Sequence, residues 1–285
     1  MPITFHDVTY IYSPKTPMEK KALKGLNLEI KEGTFTALVG RTGCGKSTLV
    51  QHLNALLNPS EGLVLIDGFH NDADKKKRDK KTKPLRKNVG LVFQFPEYQL
   101  FEQTVEKDVA FGPKNFGDDN QTALEKAHEA LKQVGLDESF YERSPFELSG
   151  GEKRRVAIAG ILAIKPKYLV VDEPTAGLDP SGSKEVMDLF QKVFEAGTTL
   201  ILVTHDMDIV LSYCTDVIVL DHGQVAQICK PSDLFNQAVE QYSLQTPMLY
   251  SFASRLEQKG YRFNHEQIKD VASLASAIVQ GRKHE

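Results

Sequence analysis

The sequence predicts an α/β domain with a mostly parallel sheet covered by helices on both faces. Short, continuously apolar segments recur along the chain and are typical of buried parallel strands. They are residues 35–39, 89–93, 168–171, 200–203 and 217–220. Segments with helical periodicity lie between most of these strands, and a glycine-rich loop follows the first strand and opens a helix. Alternation of strand, helix and strand is the pattern of a parallel sheet with crossover helices.

Composition and charge narrow the class of protein. The 285 residues are 41% hydrophobic and 26% charged, close to the globular average, which excludes disordered and low-complexity chains. The net charge of −3 argues against nucleic acid as a partner. Cys44, Cys214 and Cys229 match neither a zinc spacing nor a disulfide framework, which favours a reducing compartment. With no signal peptide and no apolar run of about 20 residues, we expect a soluble intracellular protein.

In the first half of the chain, the sequence predicts several strands and one helix. Apolar positions indicate strands before residue 39; they are Ile3, Phe5, Val8, Leu26, Leu28 and Ile30. A helix begins near Lys46 and is expected to stop at Asn58 and Pro59. Residues 75–87 then carry nine Lys or Arg side chains. This segment is either a solvated loop or a contact for a partner or for acidic lipid headgroups.

A helical insertion is predicted in the middle of the chain. Residues 120–134 have one apolar face and end before Gly135, a residue that commonly terminates helices. Ser149 and Glu152 have the spacing of a capping box, which begins a helix that runs to about Ile164. Further helices are expected at 182–196 and 206–213, between the later strands.

Two more helices are predicted in the C-terminal tail. Thr246 and Pro247 begin one of them, with the proline at its first position, and residues 264–267 cap the other. The apolar stripe of this last helix consists of Ile268, Val271, Ala272, Ala275, Ile278 and Val279. Such a stripe is expected to pack either on this domain or on another chain.

The glycine-rich loop carries the strongest chemical signal. It fits the spacing G-x-x-x-x-G-K-[ST] and consists of Gly40, Arg41, Thr42, Gly43, Cys44, Gly45, Lys46 and Ser47, with Thr48 next. The glycines allow backbone N–H groups to surround phosphate oxygens at the positive end of the following helix. Lys46 can reach the β- and γ-phosphates, and the Ser47 hydroxyl can bind Mg²⁺. The loop therefore predicts a nucleotide site.

Two acidic residues end the strand at 168–171. Asp172 and Glu173 come at the carboxyl edge of the predicted sheet, where doubly wound folds bind their ligands. Asp172 is positioned to hold Mg²⁺, and Glu173 is next to it, where a base for an attacking water is needed. An apolar strand that ends in two acids is common in proteins of many functions. Its presence in the same chain as the glycine-rich loop is what indicates a nucleotide site.

A third motif, Ser149-Gly150-Gly151, begins the predicted capping-box helix. A simple helix cap accounts for Ser149 without any ligand. Exposed amides at a helix N-terminus also bind anions, so the two interpretations are compatible.

Together these motifs resemble the ATP-binding-cassette ATPases over about residues 3–235. Residues 40–47 resemble the Walker A motif, residues 168–173 resemble Walker B, and residues 148–152 resemble the family signature. Four single residues resemble further conserved features of the family: Gln94 of the Q-loop, Asp179 of the D-loop, the switch histidine His205 and the adenine-stacking aromatic Tyr12. The resemblance departs from the family at Glu152, where glutamine is more common. It implies a P-loop NTPase with a RecA-like core, an antiparallel β subdomain at the N-terminus and a helical subdomain at about 97–165. Residues 236–285 would form a small helical extension that could pair two ATPases.

The resemblance also implies how the site works. Two cassettes would enclose two ATP molecules, each between the Walker A loop of one chain and Ser149, Gly150 and Gly151 of the other. His205 would hold the γ-phosphate and the water in line, and Gln94 would sense Mg²⁺ and report the nucleotide state to a partner. Because Glu173 is a true glutamate, the resemblance implies hydrolysis as well as binding.

Residues 93–117, the segment around the signature and the C-terminal extension resemble the energy-coupling-factor and cobalt-type importers, especially the second ATPase of a paralogous pair. That resemblance implies a second ATPase, a transmembrane coupling subunit and a substrate-binding membrane subunit, with this chain at the cytoplasmic face of the membrane. It also implies uptake of vitamins or other micronutrients. An ATPase of another importer subfamily and a non-transport cassette ATPase are the alternatives. The segment 96–101 is either core packing or a groove wall for the membrane partner.

Overall fold

A computed structural model describes residues 2–237 and 239–280. The strands are β1 (Ile3–Tyr12), β2 (Lys20–Ile30), β3 (Phe35–Val39), β4 (Glu61–Ile66), β5 (Phe69–Asp72), β6 (Val89–Val92), β7 (Tyr168–Asp172), β8 (Thr199–Val203), β9 (Asp216–Asp221) and β10 (Gln224–Cys229). The helices are α1 (Lys46–Leu53), α2 (Thr82–Asn88), α3 (Val105–Asn115), α4 (Asn120–Gln133), α5 (Gly150–Leu162), α6 (Pro180–Glu195), α7 (Met207–Tyr213), α8 (Pro231–Phe235), α9 (Met248–Glu257) and α10 (Val271–Gln280). Within the described ranges, no helix is long and apolar enough to cross a membrane.

The larger sheet has the strand order β10-β9-β3-β8-β7-β6. Strands β9, β3, β8, β7 and β6 pair in parallel, and β10 joins the edge antiparallel to β9. All of β3, β6 and β8 is buried, as their continuous apolar sequences predict. Because these strands run in one direction, the residues that follow β3, β6, β7 and β8 meet at one edge of the sheet.

An antiparallel sheet of four strands, in the order β2-β1-β4-β5, covers the first helix. Ile3 of β1 is paired with Ile30 on one side and with Ile66 on the other. Its buried side chains share a core with Leu49 and Leu53 of α1. The predicted strands before residue 39 are therefore present, and β4 and β5 complete the sheet.

The helical insertion packs α3, α4 and α5 into one core with the edge of the larger sheet. Helix α4 agrees with the predicted 120–134, and Gly135 follows it with a φ of +76°. The capping box of α5 is present in full: the Ser149 hydroxyl accepts from the N–H of Glu152, and the Glu152 carboxylate accepts from the N–H of Ser149.

Two predicted helix boundaries and one predicted loop differ from the structure. Helix α1 ends at Leu53 rather than at 58–59, because Ala55 has a φ of +51° and the chain turns there. The basic segment is not all loop, since α2 forms within it and buries Leu85. Pro247 precedes α9 as its N-cap rather than occupying the first helical position.

The last helix also differs from its prediction. Residues 265–267 form only a short 3₁₀ turn, and α10 starts at Val271, where the Asp270 carboxylate accepts from the N–H of Ser273. Ile268 and Leu274 are buried on this chain, whereas Val271 and Val279 are 74% and 67% exposed. Ala272 and Ala275 are exposed as well, so most of the predicted stripe faces outward. Residues 238 and 281–285 of the predicted extension lie outside the described residues.

Candidate functional site

A cleft of about 420 Å³ opens at the carboxyl edge of the larger sheet. Its lining includes most of the predicted site: Tyr12, Thr42, Gly43, Gly45, Lys46, Ser47, Thr48, Gln94, Asp172, Glu173 and His205. Tyr12 and Asp172 are the last residues of β1 and β7, and the others follow β3, β6, β7 and β8 in the chain. The parallel topology therefore brings together side chains that are separated by up to about 190 positions in the sequence.

The glycine-rich loop turns sharply between β3 and α1. Gly40 has a φ of +142°, and a Cβ there would lie 2.1 Å from the Leu220 carbonyl oxygen, so only glycine fits. Lys46 donates from Nζ to the carbonyl oxygens of Gly40, at 2.6 Å, and Arg41, at 3.2 Å. The ammonium group is thus held against the backbone of its own loop and lines the cleft.

Three residues of the loop do not line the cleft. Gly40 and Cys44 pack against the chain near Leu220, and Cys44 is 3% exposed. Arg41 points away from the cleft: its Nε lies 3.0 Å from Oδ1 of Asp221, and it donates to the Gln241 carbonyl oxygen at 3.3 Å. The side chains of Arg41 and Cys44 therefore contact the rest of the chain rather than the cleft.

The two acids after β7 differ in environment. Burial raises the pKa of Asp172, the charge of Glu173 raises it further, and the Lys46 ammonium opposes both effects. Glu173 has a φ of +48° and donates its N–H to the Val203 carbonyl oxygen at 2.9 Å. Nδ1 of His205 lies 2.9 Å from the Glu173 carboxylate, while the imidazole itself is 82% exposed. The Glu173 carboxylate thus lines the cleft, within hydrogen-bond reach of the exposed His205 imidazole.

The donor set fits a magnesium ion. Ser47, Gln94 and Asp172 line the same cleft and offer a hydroxyl, an amide oxygen and a carboxylate. Hard oxygen ligands of this kind, few in number and completed by phosphate oxygens and water, are what Mg²⁺ prefers. A cation beside Asp172 would also favour the charged form of a carboxyl whose pKa burial raises.

Tyr12 stands at the end of β1, at the mouth of the cleft. Its hydroxyl lies 3.1 Å from Oγ1 of Thr48, and its ring is in edge contact with Tyr10 at 4.8 Å between centroids. The ring is 37% exposed, so a partly free aromatic surface lies beside Thr48 at the end of the glycine-rich loop. A planar base can stack on such a surface.

The signature residues and Asp179 lie outside the cleft. Ser149, Gly150 and Gly151 are exposed at the start of α5, and Asp179 caps α6 by accepting from the N–H of Gly182 at 2.8 Å. A Cβ on Gly150 or Gly151 would meet no atom within 4 Å. One chain therefore brings together the Walker residues, Gln94, His205 and Tyr12, and leaves the signature apart from them.

Sequence motifs missed three residues that line the cleft, namely Lys20, Ala22 and Val203. Lys20 and Ala22 belong to β2, whose hairpin with β1 packs over the loop; the Ala22 carbonyl oxygen would lie 2.8 Å from a Cβ on Gly45. No local pattern marks Lys20 and Ala22, because only the docking of the antiparallel sheet brings them to the site. Val203 ends β8 two residues before His205, so its place in the cleft follows from the predicted strand.

The model of the ABC transporter family matches residues 23–176, more than half of the chain. The chain belongs to the ABC transporter family. Curated relatives cover nearly all of it: energy-coupling factor transporter ATP-binding protein EcfA2 of Spiroplasma kunkelii is 47% identical, over 99% of this chain and 93% of its own length. The protein of the same description from Enterococcus faecalis is 50% identical, over 98% and 97%. The cassette thus groups with the energy-coupling factor ATPases, as its motifs predicted.

Solved structures agree with this grouping. The cassette is similar to cbiO1 from Clostridium perfringens, part of the ABC transporter complex cbiONQ, with 39% identity and a TM-score of 0.73. That match covers 90% of this chain and 96% of cbiO1. The ATP-binding cassette MJ0796, dimeric and bound to ADP and phosphate, is 34% identical with a TM-score of 0.69, over 80% of this chain and 98% of its own. The predicted cassette fold is confirmed.

Proposed function

We propose that this cassette is the ATP-hydrolysing subunit of an energy-coupling factor importer and drives uptake of vitamins or other micronutrients through separate membrane subunits. The observation that carries the proposal is the cleft that joins Lys46, Asp172, Glu173 and His205 in a chain of this family. The near full-length similarity to energy-coupling factor ATPases supports the importer role.

In this proposal the glycine-rich loop binds the phosphates of ATP. Backbone N–H groups of residues 40–47 and the Lys46 ammonium surround the β- and γ-phosphates. Tyr12 stacks on the adenine. Ser47, Gln94 and Asp172 would hold Mg²⁺, which neutralises charge that develops on the phosphate oxygens when it is bound.

Glu173 acts as the general base in the proposed reaction. Its carboxylate accepts a proton from the water that attacks the γ-phosphate, and His205 orients the water and the phosphate. The 2.9 Å approach of His205 to this carboxylate supports the assignment, because it fixes both groups in one part of the cleft. Gln94 follows β6 at the same edge, where it can respond to the nucleotide.

Each complete site is proposed to need two chains. The exposed Ser149, Gly150 and Gly151 would contact the γ-phosphate bound by the opposite chain, and Asp179 would lie along the same interface. Their position outside the cleft supports this, since one chain alone leaves the signature without a ligand to contact. The second chain is either a paralogous ATPase or a second copy of this one.

The membrane partners are proposed to dock beside Gln94. Tyr98 and Phe101 are 85% and 56% exposed, and Phe95 and Phe111 are exposed nearby. Phe95 approaches Tyr98 at 6.1 Å between ring centroids, and Phe101 approaches Phe111 at 4.9 Å. Such a patch suits an apolar helix of a transmembrane coupling subunit. This subunit and a substrate-binding membrane subunit would hold the cassette at the cytoplasmic face of the membrane.

The remaining division of the chain is proposed on the same basis. Residues 1–235 form the cassette, with a helical subdomain at about 97–165, and residues 236–285 form the extension. The outward face of α10, with Val271 and Val279 exposed, supports contact between two ATPases there.

A native pull-down from detergent-solubilised membranes, with mass spectrometry of every stoichiometric partner, tests the importer role. We expect a second ATPase and a polytopic membrane protein, with small membrane proteins that identify the cargo. Recovery only as a homodimer free of membrane proteins would contradict the importer role and leave the ATPase chemistry intact.

A further inference from the structure

Arg154 is a buried cation in the second turn of α5, shortly after the signature residues. Its side chain is 5% exposed, and the whole residue is 4% exposed. A charged group is removed from water only where partners compensate for the lost hydration. The contacts of Arg154 therefore indicate what its position achieves.

The guanidinium group is satisfied on every side. Nη2 donates to Oε1 of Glu97 at 2.8 Å and Nε donates to Oε2 at 3.1 Å, a two-pronged ion pair. Nη1 donates to the carbonyl oxygens of Ala176, at 2.9 Å, and Pro174, at 3.3 Å. The ring of Phe95 lies 5.8 Å from the guanidinium carbon. Burial would raise the pKa of Glu97, but the hydrogen bonds and charge of Arg154 more than offset it, and the net pKa is lowered.

These contacts join three separate parts of the proposed site. Glu97 belongs to the 3₁₀ turn Pro96–Gln99, just after Gln94 and within the exposed aromatic patch. Pro174 and Ala176 belong to the turn directly after Glu173. Arg154 itself belongs to the helix that starts with the signature. One rigid, planar group thus connects the proposed docking segment, the catalytic turn and the signature helix.

We propose that Arg154 is a positioning residue for ATP hydrolysis, through which the segment after Gln94 holds the signature helix and the turn after Glu173 in register. A membrane partner that displaces the Phe95–Glu97 segment then moves both catalytic parts together, because the fork of Arg154 bonds to each of them. This inference rests on the proposed function for its partner, and on the geometry of this chain for the linkage.

Experiments can distinguish a role of Arg154 in positioning the site from a role in folding. Replacing a buried ion pair by apolar residues of similar size is often neutral for stability. The double variant Glu97→Leu with Arg154→Met loses the linkage and is expected to remain folded at the assay temperature. Its midpoint of thermal unfolding should fall modestly, because the carbonyl oxygens of Pro174 and Ala176 lose their donor. Arg154→Lys keeps the charge but cannot bond to a carboxylate with two prongs and to two carbonyls at once.

The test measures kcat and KM for ATP in the assembled transporter, co-purified with its membrane subunits. We expect both the double variant and Arg154→Lys to lose about tenfold or more in kcat with KM within about twofold, as for a loss of interactions made in the transition state. Glu129→Leu with Lys165→Met removes an exposed pair at 2.8 Å in the same helical region and is expected to change neither constant.

A double variant with wild-type kcat would overturn the positioning role. So would a loss of kcat that merely follows unfolding at the assay temperature. Failure of the importer role gives a different result: the wild-type chain then recovers no membrane subunit, and the same kcat comparison is made on the full chain with its ATPase partner. There, retention of kcat in the double variant again overturns the positioning role.

Discussion

Among single residues, the charged groups of the cleft influence the position and the protonation of their neighbours. Lys46 is held by two carbonyl oxygens of its own loop, and it opposes the rise in the pKa of the half-buried Asp172. Glu173 is kept on a strained left-handed backbone, with His205 at 2.9 Å. These groups therefore have distinct tasks and respond differently to substitution.

Glu173→Gln is expected to abolish steady-state hydrolysis while ATP binding survives. The amide keeps the shape of the side chain but cannot accept a proton, and loss of a general base typically costs about 10²- to 10⁴-fold in rate. A phosphate-release assay and equilibrium binding of ATP measure the two effects. Unchanged turnover would remove Glu173 from the role of base.

Lys46→Ala should instead weaken nucleotide binding itself. A hydrogen bond to a charged group contributes about 1.5–3 kcal/mol, so the affinity for ATP is expected to fall by about ten- to a hundredfold. Titration calorimetry of the full chain measures it. Wild-type affinity in this variant would contradict the assignment of residues 40–47 to phosphate binding.

The burial of His52 leads us to expect that the free energy of unfolding decreases in mild acid. It is fully buried in α1, its Nδ1 donates to the Thr48 carbonyl oxygen at 2.7 Å, and burial lowers its pKa from 6.5 to about 4. Between these values the unfolded chain binds a proton that the folded chain does not, so stability is full above pH 6.5 and falls as the pH decreases. The loss is about 2 kcal/mol between pH 6.5 and 5.

Urea unfolding of wild type and His52→Gln at pH 7 and pH 5 measures this contribution. The variant should show a smaller pH effect, by about 2 kcal/mol. His6→Gln, at an exposed position on β1, serves as the control and should retain the wild-type pH effect. Equal pH dependence in His52→Gln and wild type would show that His52 does not titrate in this way.

Among the helices, the close crossing of α3 and α5 depends on a glycine. A Cβ on Gly112 of α3 would lie 2.9 Å from Cγ1 of Ile164 and 3.2 Å from the Gly160 carbonyl oxygen. The two helices can approach this closely only because Gly112 has no side chain. This approach helps to set where α5, with the signature at its start, lies relative to the larger sheet.

Gly112→Leu is expected to destabilise the chain by about 1–3 kcal/mol through overpacking. Gly160→Ala is the matched control, because a Cβ there meets no atom within 4 Å. Alanine in a helix interior should stabilise by about 0.5–1 kcal/mol relative to glycine. Urea denaturation measures both, and a Gly112→Leu chain as stable as wild type would show that the helices separate at little cost.

At the level of the whole molecule, the cleft around Lys46 and the exposed signature do not meet within the described chain. Gly150→Asp tests whether they meet between chains. A side chain fits at Gly150 in the single chain, and a carboxylate favours a helix N-terminus, so folding and ATP binding are expected to be unchanged. Hydrolysis by the assembled transporter should fall by about a hundredfold or more, since the charge would oppose the γ-phosphate. Retained hydrolysis would contradict the two-chain site.

Local patterns are enough to locate the buried strands, the phosphate loop and the acids after β7, because each depends on residues that are neighbours in the sequence. The capping box of α5 and the end of α4 are predictable for the same reason. The start of α10 was not, because Asp270 offers a competing cap that the apolar stripe does not reveal.

Contacts between distant segments were decided by the tertiary structure alone. Burial of Leu274 rather than Val271 depends on how α10 docks. Arg41 is kept out of the cleft by its contact with Asp221, 180 positions away. The linkage of Arg154 to Glu97 and Ala176 likewise requires three elements to pack together. Periodicity along a chain specifies which face of an element is apolar, and only packing specifies which neighbour that face and its polar groups will meet.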